Sequence, residues 1–179
     1  MIIERGYNMG VDESNNGRFP AIYVQVSSNN SHDVCKQKRL LSKSRKNHDT
    51  IARKLRSRDY NFLLFSYAES KIIQNPFKRI GIILASLIYE KSLGDHLKIY
   101  LDGEWGPKNI DFAKNILKDT TGLEKDVIEI FTGAELDRKI PLVNIADETA
   151  HWLLKKPLKS LRENKHKKEL LLEEFRKFF

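Results

Sequence analysis

The sequence has little cysteine, and this scarcity excludes two kinds of site. Cys35 is the only cysteine among 179 residues, so there is no internal disulfide and no zinc site built from several thiolates. Hydrophobic runs are also short, because the longest, residues 80–89, is about half as long as a membrane-spanning helix must be. The first ten residues lack the continuous apolar core of a signal peptide. These absences predict a cytoplasmic protein with no membrane partner.

Acidic residues are almost missing from one stretch of the chain. Residues 36–58 contain ten Lys or Arg and a single acid, Asp49, which gives a charge of +9 in a chain whose net charge is +8. A stretch of one sign fits a surface that binds a polyanion such as nucleic acid, and a solubilising surface is the alternative. The candidates for phosphate contact are Lys36, Lys38, Arg39, Lys43, Arg45, Lys46 and, after the first strand, Arg18.

Apolar periodicity and turn residues predict an α/β fold. Strands are expected at residues 7–14, from Pro20 onward, and at 61–66, 97–102 and 127–131. Helices are expected from a cap at Asn47 or Asp49 to about residue 58, and at 76–94, 107–122 and 141–154. The first two strands should form an antiparallel hairpin, the second being half-buried, and the strand at 61–66 should be central. Residues 34–46 fit either a third strand or an extended basic segment. The order of elements predicts a mixed sheet with flanking helices in one domain.

Two aspartates end apolar strands, where packing gives no reason for a carboxylate. Asp12 follows Met9-Gly10-Val11, and Asp102 follows Ile99-Tyr100-Leu101. If the two strands are neighbours, these carboxylates lie about 5 Å apart. Two such charges repel each other, and a divalent cation removes the conflict. The alternative is that each aspartate is a turn residue.

Three further acids are candidates for the same site. Glu13 points to the opposite strand face from Asp12 and reaches the site only if the strand has already turned. Asp137 lies in a loop before the last helix, where pairing with a neighbouring basic residue is the alternative. Asp147 lies at the edge of the buried arc of that helix. His151, one turn further along, is expected to be a packing or surface histidine.

The order of these motifs resembles the ribonuclease H-like superfamily, and ribonuclease HII most closely. The resemblance is carried by Gly10-Val11-Asp12-Glu13, by the basic stretch that begins at Lys36, by Leu101-Asp102-Gly103, and by the Asp137 loop that leads into the Pro141 helix. It covers about residues 9–155, which leaves residues 1–8 as an extension and 156–179 as a charged helical tail. A second, uncharacterised branch has Asp-Glu-Ser early and Ala-Asp in its last helix, like Asp147 here. The fourth acid is therefore either Asp137 or Asp147.

The resemblance implies a nuclease that hydrolyses phosphodiester bonds by a two-metal mechanism. Asp12, Asp102, Asp137 and Asp147 would bind Mg²⁺ or Mn²⁺, and Glu13 would complete the catalytic group. The partner would be RNA, an RNA–DNA hybrid or DNA.

Other readings stay open. Ribonuclease HII has a Gly-Arg/Lys-Gly turn where this chain has Ser14-Asn15-Asn16-Gly17-Arg18, and this difference favours a non-catalytic nucleic-acid-binding module on the same fold. An actin-like, ATP-using protein is disfavoured, because that branch needs two such domains. The apolar residues of the tail could instead dock on a partner or on their own domain.

Overall fold

Five strands form one mixed sheet. The computed structural model describes residues 6–14, 18–38, 40, 48–88 and 96–155. The strands are β1 (Gly6–Glu13), β2 (Ala21–Ser28), β3 (Asp59–Phe65), β4 (His96–Asp102) and β5 (Ile128–Gly133). Their order across the sheet is β3-β2-β1-β4-β5. β1 and β2 form the predicted antiparallel hairpin, and β1, β4 and β5 run parallel to one another.

Helices cover both faces of this sheet. They are α1 (His48–Leu55), α2 (Tyr67–Ile72), α3 (Pro76–Ile88), α4 (Pro107–Thr121) and α5 (Pro141–Leu154). One core contains the odd-numbered residues of β1 and β4 packed against α3 and α4, and the other contains the even-numbered residues of β2 packed against α5. Short 3-10 turns lie at Ser31–Asp33, Lys125–Val127 and Leu136–Arg138. This is the expected α/β architecture, a mixed sheet with flanking helices.

Three helices begin at prolines, as predicted. Pro76, Pro107 and Pro141 are the first residues of α3, α4 and α5, a position where the missing N–H costs nothing because it has no intrahelical acceptor. α4 ends at Gly122, whose φ of 74° is left-handed and suits glycine. The predicted end of α3 at Gly94 lies outside the described residues.

Two predictions about the strands are wrong. Among the described residues β3 is an edge strand, because there it pairs only with β2 at the end of the sheet. β2 is buried on both faces, since Tyr23, Gln25 and Ser27 are buried as well as the residues that alternate with them. The cause is that helices cover both faces of the sheet at this strand. Within residues 34–38 and 40 there is no strand, and 41–47 lie outside the described part.

One helix was not predicted from the sequence. α2 follows Ser66, whose Oγ accepts a hydrogen bond from the Glu69 N–H while the Glu69 carboxylate accepts one from the Ser66 N–H. This reciprocal cap stabilises a helix of only six residues. In the described part of the chain, no helix is long and apolar enough to cross a membrane.

The division of the chain at residues 8 and 155 stays a prediction. β1 begins at Gly6 and pairs with β4 from that residue onward, so residues 6–8 belong to the sheet. Residues 1–5 and the tail at 156–179 lie outside the described part of the chain.

Candidate functional site

The two strand-ending aspartates lie at the same edge of the sheet. β1 and β4 are parallel neighbours in which Val11 pairs with Leu101, and an aspartate follows on each strand. The odd-numbered residues of both strands enter the core with α3 and α4, so Asp12 and Asp102 both point to the α5 face. Neighbouring strands are about 4.8 Å apart. The condition left open by the sequence, that these two strands are neighbours, is met.

Asp12 is surrounded by other acids. The residue as a whole is half-buried, and burial of its carboxyl raises the pKa well above the ordinary value. The charges of Asp147, Asp102 and Asp137 raise this pKa further, and a hydrogen bond of 2.7 Å from the Glu13 N–H to Oδ1 opposes the rise. The carboxylate of Asp12 is therefore costly to ionise unless a positive charge joins it.

Asp102 is more exposed and ties the end of β4 to the following loop. Its Oδ1 accepts a hydrogen bond of 2.6 Å from the backbone N–H of Leu136. The next residue, Gly103, has a φ of 98°, and its N–H donates to the carbonyl of Gly133 at 3.1 Å. The left-handed conformation explains why glycine follows the aspartate. Asp102 thus holds the loop that brings in the next acid.

Asp137 lies in that loop, in the 3-10 turn Leu136–Arg138. Burial raises the pKa of its carboxyl, and the charges of Asp102 and Asp147 add to the effect, while Arg138 opposes it. The Arg138 guanidinium is 4.0 Å from the Asp137 carboxylate. The predicted pairing with a basic neighbour is therefore present, but it is too weak to cancel the repulsion from the other acids.

Asp147 reaches the same site from α5. This helix packs very closely on β1 at Gly10, where an added Cβ would lie 2.4 Å from the carbonyl carbon of Leu142. The side chain of Asp147 is 15% exposed, and its Oδ1 atom lies 3.0 Å from Nε2 of His151. The bond to Asp147 raises the pKa of this half-exposed histidine. His151, expected to be a packing or surface residue, is thus the hydrogen-bond partner of a candidate site acid.

Glu13 lies on the other face of β1, as its position in the strand predicts. It pairs with Tyr23 across the hairpin. Burial raises the pKa of the Tyr23 hydroxyl, and the Glu13 charge raises it further. The Glu13 charge also raises the pKa of His151. Glu13 therefore lies at the border of the site, on the opposite face of β1 from Asp12.

The four aspartates form one electrostatic group that we call the acidic group: Asp12, Asp102, Asp137 and Asp147. The sequence left open whether Asp137 or Asp147 is the fourth acid, and the charges of both act on Asp12. Within the described ranges, no three His, Cys, Asp or Glu side chains converge closely enough to hold a metal ion. The carboxylates therefore stand further apart than in a closed coordination shell. Their all-oxygen chemistry and mutual repulsion nevertheless suit a hard divalent cation.

The start of the basic stretch lies beside the acidic group. The backbone N–H of Gln37 donates to the carbonyl of Lys139 at 2.7 Å, and that of Leu40 donates to the carbonyl of Arg138 at 2.7 Å. These bonds join Gln37 and Leu40 to the loop that carries Asp137. The exposed basic candidates in the described part are Arg18, Lys36 and Lys38. The other candidates, Arg39, Lys43, Arg45 and Lys46, lie outside it.

Two other basic residues of the stretch at 36–58 bind acids within the protein. Lys54 of α1 contacts the Glu148 carboxylate, whose side chain is only 2% exposed. The Arg58 guanidinium binds both oxygens of Asp33, at 2.9 and 2.7 Å. These pairs could not be predicted from the sequence because their members are far apart along the chain. One signal of a buried acid was present in the sequence. Glu148 comes three residues after Ile145, so the two residues lie on the same buried face of α5.

Comparison with known proteins shows the fold but no family. No family model matches the chain, and no curated protein matches it. Among solved structures, the chain is similar to ribonuclease HII in the structure of the PCNA:RNase HII complex from Archaeoglobus fulgidus. The TM-score is 0.56 at 16% sequence identity, over 94% of this chain and 77% of that one. The protein therefore has a ribonuclease H-like α/β fold.

Proposed function

We propose that the protein is a divalent-metal-dependent nuclease that hydrolyses phosphodiester bonds in nucleic acid. The observation that carries the proposal is the acidic group, in which three other elements bring an aspartate each within electrostatic reach of Asp12. Mutual repulsion of this kind is a cost to the folded protein, and functional sites are where such costs are found. The ribonuclease H-like fold supports the same conclusion by analogy, since a fold alone does not establish an activity.

The acidic group would hold one or two Mg²⁺ or Mn²⁺ ions. Asp12 and Asp102 are the best placed ligands because they leave adjacent strands at the same level. Asp137 and Asp147 would close on the ions from the loop and from α5, and His151 would orient the Asp147 carboxylate through its 3.0 Å contact. When bound, such ions supply an attacking hydroxide and stabilise the leaving oxygen. Glu13 would act from the border of the site.

The basic residues beside the acidic group would hold the nucleic acid. Lys36 and Lys38 are exposed on a segment that is hydrogen-bonded to the Asp137 loop. Contacts of lysine and arginine with phosphates position a strand without reading its sequence. Arg18 and the basic candidates outside the described residues would extend this surface. The substrate class that this arrangement supports is RNA, an RNA–DNA hybrid or DNA.

A cleavage screen with matched variants tests the proposal. The full chain is incubated with labelled RNA, DNA and hybrid substrates in Mn²⁺, Mg²⁺ or EDTA, and products are resolved on denaturing gels. Asp12→Asn and Asp102→Asn should abolish metal-dependent cleavage while the circular dichroism spectrum stays unchanged. Asp119→Asn is the matched control, because this exposed aspartate lies on α4, on the opposite face of the sheet. Metal-dependent cleavage that survives in both site variants would refute the assignment of Asp12 and Asp102 to the catalytic site.

The alternative is a nucleic-acid-binding module that does not cleave. The observation that favours it is that, in the described part of the chain, the acids do not already converge as metal ligands. This alternative expects salt-sensitive binding with no products in the screen. It also expects no rise of the unfolding midpoint in millimolar Mn²⁺, whereas a metal-binding protein would be stabilised by mass action.

A further inference from the structure

Two aromatic rings stack on the sheet close to the acidic group. Tyr100 of β4 and Phe131 of β5 are paired residues whose ring centroids are 4.8 Å apart, with the ring planes 14° from parallel. β5 is the outermost described strand on this side of the sheet, and Phe131 is 39% exposed. Since Tyr100 is packed between Phe131 and the protein, the outer surface of the pair belongs to Phe131.

The position of this pair along the strands relates it to Asp102. Tyr100 lies two residues before Asp102 on the same strand face, and Phe131 lies two residues before Gly133, the partner of Asp102. Two strand residues span about 6.7 Å, and neighbouring strands are about 4.8 Å apart. The backbones of Phe131 and Asp102 are therefore about 8 Å apart. A single nucleotide spans such a distance between its phosphate and its base.

Charged side chains lie around the pair. Lys98 and Glu129, two residues before Tyr100 and Phe131 on the same strands, form an ion pair at 3.1 Å, so that ammonium group already has a carboxylate partner. The exposed Lys36 and Lys38 flank Gln37, whose N–H donates to the carbonyl of Lys139 in the loop that Leu136 ties to Asp102. Ammonium groups on the Asp102 side of an exposed ring complement a nucleotide, whose base is flat and whose phosphate is negative.

We propose that the Tyr100–Phe131 pair is a stacking platform for an unpaired base next to the phosphate that is cleaved. The inference rests on the proposed nuclease function and narrows its substrate to single-stranded or locally unpaired nucleic acid. In a continuous duplex both faces of each base are covered by its neighbours, and exposing one costs a few kcal/mol. A single strand presents its bases freely, and stacking on an aromatic side chain accepts any base. The platform thus selects strand state and not sequence.

Binding measurements on the full chain test this inference apart from catalysis. Fluorescence anisotropy is followed in EDTA with a labelled single-stranded 12-mer and with the duplex of the same sequence. Wild type should bind the single strand at least tenfold more tightly than the duplex. Phe131→Leu, which keeps an apolar side chain without a ring, should weaken single-strand binding about tenfold and leave duplex binding unchanged. Phe131→Tyr should retain wild-type affinity.

The control is another exposed aromatic residue on the same sheet face. Tyr60 is 45% exposed on β3, the opposite edge strand, and Tyr60→Leu should bind both nucleic acids like wild type. Equal affinity of wild type and Phe131→Leu for the single strand would overturn the platform while leaving the nuclease proposal intact. Failure of wild type to bind either nucleic acid would overturn both. If Phe131→Leu changes the mass measured by light scattering, the pair is a contact between copies of the chain and the platform is refuted.

Discussion

Replacing Asp12 by asparagine should stabilise the metal-free protein at neutral pH. Burial of the Asp12 carboxyl raises its pKa, and the charges of Asp147, Asp102 and Asp137 raise it further. Asparagine has nearly the same shape and keeps an oxygen that can accept the hydrogen bond from the Glu13 N–H. The substitution therefore removes a repelled charge without leaving a cavity or depriving the Glu13 N–H of its acceptor.

The size of the gain follows from the strand geometry. Two unit charges about 5 Å apart repel by about 3 kcal/mol at an effective dielectric constant of about 20. Exposure of Asp102 to solvent reduces this repulsion, so we expect a net gain of about 1–2 kcal/mol. For a domain of this size, such a gain raises the unfolding midpoint by about 2–8 °C.

The pH dependence of the gain has a definite sign. Since the folded protein raises the pKa of Asp12, it binds that proton more tightly than the unfolded chain does. Wild type therefore loses stability as the pH rises from the ordinary aspartate pKa, about 4, through the raised value. Asparagine does not titrate. The gain from Asp12→Asn should be complete above the raised pKa and absent below about pH 4.

Urea unfolding followed by circular dichroism at pH 4 and pH 7.5 in EDTA measures this difference. Asp119→Asn, with its exposed side chain, should show no gain at either pH. Millimolar Mn²⁺ should then stabilise wild type more than Asp12→Asn, because the variant has lost a ligand. A variant that is less stable than wild type at both pH values, or that gains equally at both, would refute the picture of a repelled carboxylate at Asp12.

Two further predictions concern α5. Gly10→Ala should destabilise the protein by about 1–3 kcal/mol, because the added methyl group would collide with the Leu142 backbone. The control is Gly106→Ala, where an added Cβ has no neighbour closer than 4.0 Å. This control should change the free energy of unfolding by less than about 0.5 kcal/mol. Lys54→Met should cost about 2 kcal/mol in urea unfolding by leaving the Glu148 carboxylate buried without its ammonium partner. Adding Glu148→Gln to that variant should restore most of the loss, and an unchanged loss would show that the pair does not act through charge.

The sequence predicted the elements whose ends are marked by local chemistry. Proline fixes φ and lacks an N–H, so Pro76, Pro107 and Pro141 each marked the start of a helix. Gly122 marked the end of α4 for the opposite reason, since it adopts a left-handed conformation. Such signals depend on a residue's own backbone and not on what packs around it.

Predictions that depended on tertiary packing were less successful. The apolar run of β3 was interpreted as a central strand, but position in a sheet is set by strand pairing, which the run does not encode. The alternation of apolar and polar residues in β2 predicted one solvent-exposed face. Ser27 on that face is nevertheless buried, and its hydroxyl is hydrogen-bonded to the Tyr7 hydroxyl at 2.7 Å. A hydroxyl satisfied by a distant residue cannot be recognised from its own neighbours in sequence.

Only part of the acidic group could be predicted from the sequence, because some of its members are brought together by tertiary packing. Asp12 and Asp102 each end a strand, and the ends of neighbouring parallel strands lie at one edge of a sheet. The contribution of Asp147 depends on how closely α5 approaches β1 at Gly10, which no local pattern specifies. Both readings of the fourth acid were therefore defensible from the sequence, and both residues act on Asp12.

The spread of the acidic group along the chain has a consequence for biosynthesis. Asp12 emerges from the ribosome long before Asp147, and α5 can join the sheet only after it has been synthesised. A nascent or prematurely terminated chain that stops before α5 lacks Asp147, the last of the four acids. Whatever chemistry the four carboxylates support is therefore withheld until translation has passed the last of them, and incomplete products cannot carry it out.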